Sequence, residues 1–213
     1  MKDINDILNI KDGVKYFYDG LSYAADGDYD KAIECWEKSA KLNPKDSEVY
    51  NNMGCAYDEK GNYDKAIECF QKAIVINPSY SDAYNNMGAA YKNKGNYDKA
   101  AECYQKAISV DSYNATAYYN MGDVYYEKGN YDKEIECYQK AIAIKPNYAE
   151  AYNNMGIAFK NKRNYDKAID CYQKAISIDP NYAMAYKNME NVYILKGDIK
   201  TAMEYSKKRN SIA

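Results

Sequence analysis

The sequence predicts an all-α fold, a solenoid of stacked antiparallel helix pairs, and three observations carry that prediction. From Ser47 the chain repeats with a period of 34 residues: SEVYNNMGCAYDEKGNYDKAIECFQKAIVINPSY is followed by SDAYNNMGAAYKNKGNYDKAAECYQKAISVDSYN and then by two more close copies. A fixed period of that length is the mark of a repeat architecture. Within each copy, residues recur at helical spacing in two separate stretches, and in three of these four copies a Gly-Asn pair stands between the stretches.

The elements follow in order from one copy. Tyr50, Met53, Gly54 and Tyr57 fall at i, i+3, i+4 and i+7, one face of a first helix. Gly61 suits the left-handed residue that closes a helix, and Asn62 can cap the next one. Ala66, Phe70 and Ala73 mark the inner face of a second helix, with Gly54 and Ala66 kept small for a close helix contact. Pro78 then ends the second helix. On the outer face, Glu68 and Lys72, Glu102 and Lys106, and Glu136 and Lys140 are i,i+4 pairs that read as solvated surface. No helix pair buries its apolar stripe alone, so the copies must stack.

Extending the frame in both directions gives copies at 13–46, 47–80, 81–114, 115–148, 149–182 and 183–213, expected to form a single array behind a leading segment, 1–12. Position 4 is Tyr16, Tyr50, Tyr84, Tyr118, Tyr152 and Tyr186; position 8 is Gly20, Gly54, Gly88, Gly122 and Gly156. Position 20 is Ala32, Ala66, Ala100, Ala168 and Ala202, position 24 is Trp36, Phe70, Tyr104, Tyr138 and Tyr172, and position 32 is Pro44, Pro78, Pro146 and Pro180. This pattern resembles the tetratricopeptide repeat family. The resemblance implies a right-handed superhelix and a non-catalytic role in protein–protein interaction.

Composition narrows the function further. Net charge is −2, with 29 basic and 31 acidic residues and no basic stripe, so nucleic acid is not an expected partner. Of the 27 tyrosines, 22 sit at repeat positions 4, 11, 17, 24 and 34, which points to packing and not to base stacking. Five of the six cysteines recur at position 23, and equivalent helices about 10 Å apart exceed the ~7 Å reach of a disulfide. Free thiols, a start without a long apolar run and no membrane-length apolar stretch together predict a cytoplasmic protein that does not enter a membrane.

No catalytic or cofactor site is expected. The chain has no histidine, which removes the commonest general base and metal ligand. Phosphate loops and nucleophile elbows are absent. Asp26, Asp28, Asp30, Glu34 and Glu37 match acidic positions of a calcium loop, but Lys31 occupies the position that needs glycine, so no metal site is predicted.

Binding is what remains, on the inside of the stack. The family resemblance implies groove-facing positions near 2, 5, 6, 9, 12 and 13 of each copy. Position 6 is Asn52, Asn86, Asn120, Asn154 and Asn188, and each amide offers two donors and an acceptor to a peptide backbone. An equally fitting reading is that these amides satisfy the neighbouring repeat. Position 5 adds Asn51, Asn85 and Asn153, while Phe17, Tyr119 and Lys187 break that column. Specificity would lie with Asp58, Lys92, Tyr126 and Lys160 at position 12 and Asp123 at position 9. Glu48, Asp82 and Glu150 at position 2 favour a ligand carrying some Lys or Arg. Lys187 and Asn191 match only the first repeat of a C-terminal carboxylate clamp, so chaperone-tail binding is disfavoured.

Departures from the pattern carry expectations of their own. Ser112 replaces the proline of the third copy and Glu134 the alanine of the fourth, making that junction the most deformable; Glu134 would be desolvated near Gly122 unless it snorkels outward. Arg163 stands where other copies have the helix-closing glycine, a local strain. Ser206 and Arg209 make a polar end to the last copy, and Glu190, replacing glycine, predicts looser packing there. Exposed Val14, Phe17, Tyr18, Leu21, Met184, Ile194 and Leu195 are candidates for self-association, the first group alternatively covered by Ile4, Leu8 and Ile10. Three readings therefore fit: a peptide-binding adaptor, an assembly that grows through its ends, and a near-consensus scaffold without a ligand.

Overall fold

The computed structural model describes residues 4–212, with residues 4–10 as backbone only. Among the described residues there are twelve α-helices and no strand. They are α1 (Ile4–Ala25), α2 (Tyr29–Leu42), α3 (Ser47–Glu59), α4 (Tyr63–Ile76), α5 (Ser81–Asn93), α6 (Tyr97–Val110), α7 (Ala115–Glu127), α8 (Tyr131–Ile144), α9 (Ala149–Asn161), α10 (Tyr165–Ile178), α11 (Ala183–Leu195) and α12 (Ile199–Asn210). The side chains of Ile4, Leu8 and Ile10, and any cover they give α1, lie outside the described residues.

The chain divides into two compact units, Met1–Ser112 and Tyr113–Ala213, each holding three helix pairs. In the first, α1 pairs with α2, α3 with α4 and α5 with α6, while α2 packs on α3 and α4 on α5. In the second, α7, α9 and α11 pair with α8, α10 and α12, with α8 against α9 and α10 against α11. In addition α3 touches α5 and α9 touches α11, which puts first helices on the inside of each stack.

The caps explain why each helix starts and stops where it does. The side chains of Asn62, Asn96, Asn130 and Asn164 accept from the backbone N–H three residues on, and Asp28 and Asp198 do the same. The turns before these caps run through positive φ at Gly27, Gly61, Gly95, Gly129 and Gly197. Arg163 is forced to φ 60° at the sixth such turn, as its place in the repeat predicts.

Each pair locks through the glycine of the first helix and the aromatic ring of the second. A Cβ added to Gly88 would lie 2.7 Å from Tyr104 Cε1, and one on Gly54 would lie 2.5 Å from Phe70 Cε1. Gly122 with Tyr138, Gly156 with Tyr172 and Gly20 with Trp36 repeat the contact. The small residue at position 8 therefore makes room for the position 24 ring of its own pair. The last copy inverts the sizes. Glu190 stands at the glycine position, Ser206 at the ring position, and Arg209 Nη1 donates to Glu190 Oε2 at 2.7 Å. An ion pair stands there, and α11 packs on α12 less extensively than the helices of the other pairs pack on each other, as Glu190 predicts.

Between repeats, apolar positions 3, 7 and 10 of a first helix close on the preceding second helix: Val49, Met53 and Ala56 share a core with Ala32, Ile33 and Trp36. Lys60 pairs with Asp30, Lys94 with Asp64, Lys162 with Asp132 and Lys196 with Asp166, one exposed ion pair at each of these repeat boundaries. Such exposed pairs contribute up to about 1 kcal/mol each.

Glu134 does not snorkel. Its side chain is 1% exposed in the core between α7 and α8, and its Oε2 has no hydrogen-bond partner. Burial, with Asp123 of α7 adding to it, pushes its pKa up to about 8.

Candidate functional site

The asparagines recurring along the first helices build a cross-repeat network. Asn86 Nδ2 donates to Asn51 Oδ1 at 3.1 Å and lies 3.5 Å from Cys55 Sγ. Asn188 Nδ2 donates to Asn153 Oδ1 at 2.8 Å. Asn154 Nδ2 donates to the hydroxyl of Tyr119 at 2.9 Å and to Asp123 Oδ1 at 3.4 Å. In every case the position 6 amide of one repeat reaches the position 5 side chain of the repeat before it, 35 residues back. Within a repeat, Asn153 donates to Asn154 at 3.2 Å and Asn85 to Asn86 at 3.5 Å.

Burial separates the two columns. Asn51, Asn85 and Asn153 at position 5 are buried, as is Asn188, whereas Asn52, Asn86, Asn120 and Asn154 are half-buried along the inner face. A buried amide needs partners, and these find them in adjacent repeats. Tyr119 does not break the column, contrary to the sequence reading, because a phenol oxygen accepts as an amide oxygen does. Its ring also stacks on Tyr148 at 5.0 Å. Phe17, with no acceptor, does break it, and Asn52 is left without a side-chain hydrogen bond among the described residues.

The more variable positions lie along the same face. Asp58 accepts from Asn93 Nδ2 at 3.2 Å, a partner the sequence did not single out. Its own burial raises the pKa of the Asp58 carboxyl. Asp123 accepts from the Tyr138 hydroxyl at 2.8 Å and so belongs as much to the α7–α8 core as to the face. Lys92 and Lys160 are half-buried and Tyr126 is exposed; neither Tyr126 nor Lys160 hydrogen-bonds to the amide network.

All six cysteines are free. Burial pushes the thiols of Cys55, Cys69 and Cys103 up to about 11 and those of Cys137 and Cys171 to about 12, so they stay protonated at neutral pH. Among the described residues no three acids or cysteines are grouped to hold a metal ion, and no helix is long and apolar enough to cross a membrane.

Stacked helix pairs with an amide-lined inner face define a helical-repeat protein. Family models agree: one described as TPR repeat matches residues 20–61, 91–129 and 122–163, and two described as tetratricopeptide repeat match 47–80 with 149–182, and 69–102. The chain belongs to the tetratricopeptide repeat family. Among solved structures, MamA is 33% identical with a TM-score of 0.69, over 77% of this chain and 96% of that one. The Pseudomonas aeruginosa pilF structure has a TM-score of 0.81 at 17% identity, over 92% and 90% of the two chains. YrrB, described as a TPR protein with an unusual peptide-binding site, has a TM-score of 0.67 at 24% identity, over 84% and 93%. No curated protein matches the chain.

Proposed function

We propose that this protein is a non-catalytic scaffold of cytoplasmic location whose first-helix faces bind an extended segment of a protein partner. The observation that carries the reading is how first-helix positions divide. Val49, Met53 and Ala56 are buried between repeats and Asn51 and Asn86 are tied across them, while Glu48, Asp58, Asp82 and Lys92 face outward and differ in charge between repeats. Tyr126, Glu150 and Lys160 repeat the arrangement in the second unit. Such a surface holds its shape while its chemistry varies, which suits recognition of one sequence among many. The peptide-binding site named for YrrB supports the same use of the fold.

Assembly through the repeat ends has one observation in its favour. Position 21 is Ile33, Ile67, Ile135 and Ile169, all buried, but at the last repeat it is Met203, 58% exposed. At the opposite end positions 3, 7 and 10 of α1 are Lys15, Asp19 and Ser22, while Val14, Tyr18 and Leu21 of the same helix are exposed.

Selection from a random peptide library on the intact protein tests the proposal. Binders should change affinity with Lys92→Glu or Lys160→Glu on the first helices and keep it with Lys72→Glu or Lys106→Glu on the second. The reverse pattern would refute a first-helix site.

A further inference from the structure

We infer that the first two repeats of the Met1–Ser112 unit form a docking site for a partner segment that carries an aliphatic or aromatic side chain next to a lysine or arginine. This rests on the peptide-binding reading and specifies where, and by what chemistry, the segment is held.

Three observations converge there. The amide network ends at Asn52: its counterparts Asn86, Asn154 and Asn188 each donate to the preceding repeat, but the residue at the acceptor position is Phe17. Asn52 therefore keeps both donors and its acceptor for a peptide backbone. Phe17, the residue at that acceptor position, also lines a pocket of about 160 Å³ with Gly13, Val14 and Tyr18 of α1, Ser39 and Asn43 at the end of α2, and Asp46. That is close to the ~150 Å³ of an apolar cavity known to take a benzene ring. Val14 and Tyr18 are 51% and 64% exposed, so the apolar surface is open to solvent.

Charge supplies the third observation. On the inner face of the first two repeats Glu48, Asp58 and Glu59 are acidic, Asp82 and Lys92 follow on the third, and the carboxylate of Asp46 lies in the pocket wall as the cap of α3. A segment entering the pocket thus meets apolar contact and negative potential together. This complementarity selects an apolar anchor flanked by a basic residue and disfavours acidic segments. The sequence alone pointed to the acids but not to the pocket or to the free amide.

The test is peptide selection on the intact chain, followed by affinity measurement on the wild type and on Asn52→Ala, Tyr18→Asp and Glu48→Lys, with folding checked by circular dichroism. Selected peptides should carry the apolar–basic pair. Asn52→Ala should weaken them about tenfold, and Glu48→Lys should weaken them severalfold, with an effect that shrinks as salt is raised. Exchanging the peptide's lysine for glutamate should restore binding to Glu48→Lys. If peptides bind but respond only to Lys160→Glu, the docking site is wrong and the peptide-binding reading stands. If no peptide is enriched at all, both fail. If instead the protein self-associates in analytical ultracentrifugation, and Tyr18→Asp and Met203→Glu each abolish it, the occupant is a second copy and the inference is overturned.

Discussion

The side-chain amide of Asn188 donates to Asn153 Oδ1 at 2.8 Å across the boundary between the fifth and sixth repeats, and both residues are buried. The bond joins consecutive helix pairs, not the two helices of one pair. Removing one partner leaves a buried amide unsatisfied, so Asn153→Ala and Asn188→Ala should each cost about 1–3 kcal/mol. The double variant should cost less than the sum of the two, a coupling that a double-mutant cycle in urea measures directly.

Gly88 and Tyr104 make the tightest form of pair packing in the first unit after those at Gly20 and Gly54. Gly88→Ala should destabilise by about 1–3 kcal/mol, because the ring is fully buried and has little room to move. In the last repeat the size exchange predicts the opposite dependence. With Glu190 in place, Ser206→Tyr should destabilise; together with Glu190→Gly it should recover much of that loss. Thermal melts of the two single variants and the double variant check this.

Glu134 makes stability depend on pH with a definite sign. Its folded-state pKa is about 8 against 4.5 in the unfolded chain. Folding therefore favours the protonated form: the stability it allows is fully present below about pH 4.5 and declines as the pH rises, levelling off above about 8. The slope is at most about 1.4 kcal/mol per pH unit. Facing it are Asp123 from α7 and, on its own helix, Tyr138 and Cys137. Glu134→Gln should remove this dependence, and Glu134→Ala, the residue of the other repeats, should stabilise by about 1–3 kcal/mol at pH 8. Urea midpoints from pH 5 to 9 decide it.

Arg163 at φ 60° is the one non-glycine residue with positive φ among those described. Arg163→Gly should stabilise by about 1 kcal/mol, read as a shift in the denaturation midpoint.

Much of this fold is legible in the sequence because one copy explains the rest. Asn62, Gly61 and Pro78, with their counterparts in most repeats, mark the ends of helices, and the helices begin and end beside those residues. What stays hidden is contact between copies. That Asn86 reaches Asn51 depends on the register of two stacked helices, which a period of 34 does not state. Tyr119 looked like a break for the same reason: its equivalence to an asparagine lies in a hydroxyl aimed at the next repeat, not in its residue class. The choice of Glu134 between snorkelling and burial rests on how α7 and α8 close around it. At Asn52 the site itself was legible as a residue but not as the amide left over when all the others are engaged.

The central claim is that partners bind along the first helices. Amide hydrogen exchange on the intact protein, with and without a selected peptide, tests it most directly. Exchange should slow in α3 and α5 and around the pocket at Val14 and Tyr18, with α4 and α6 unchanged. Protection confined to the second helices, or to the end of α12, would contradict it.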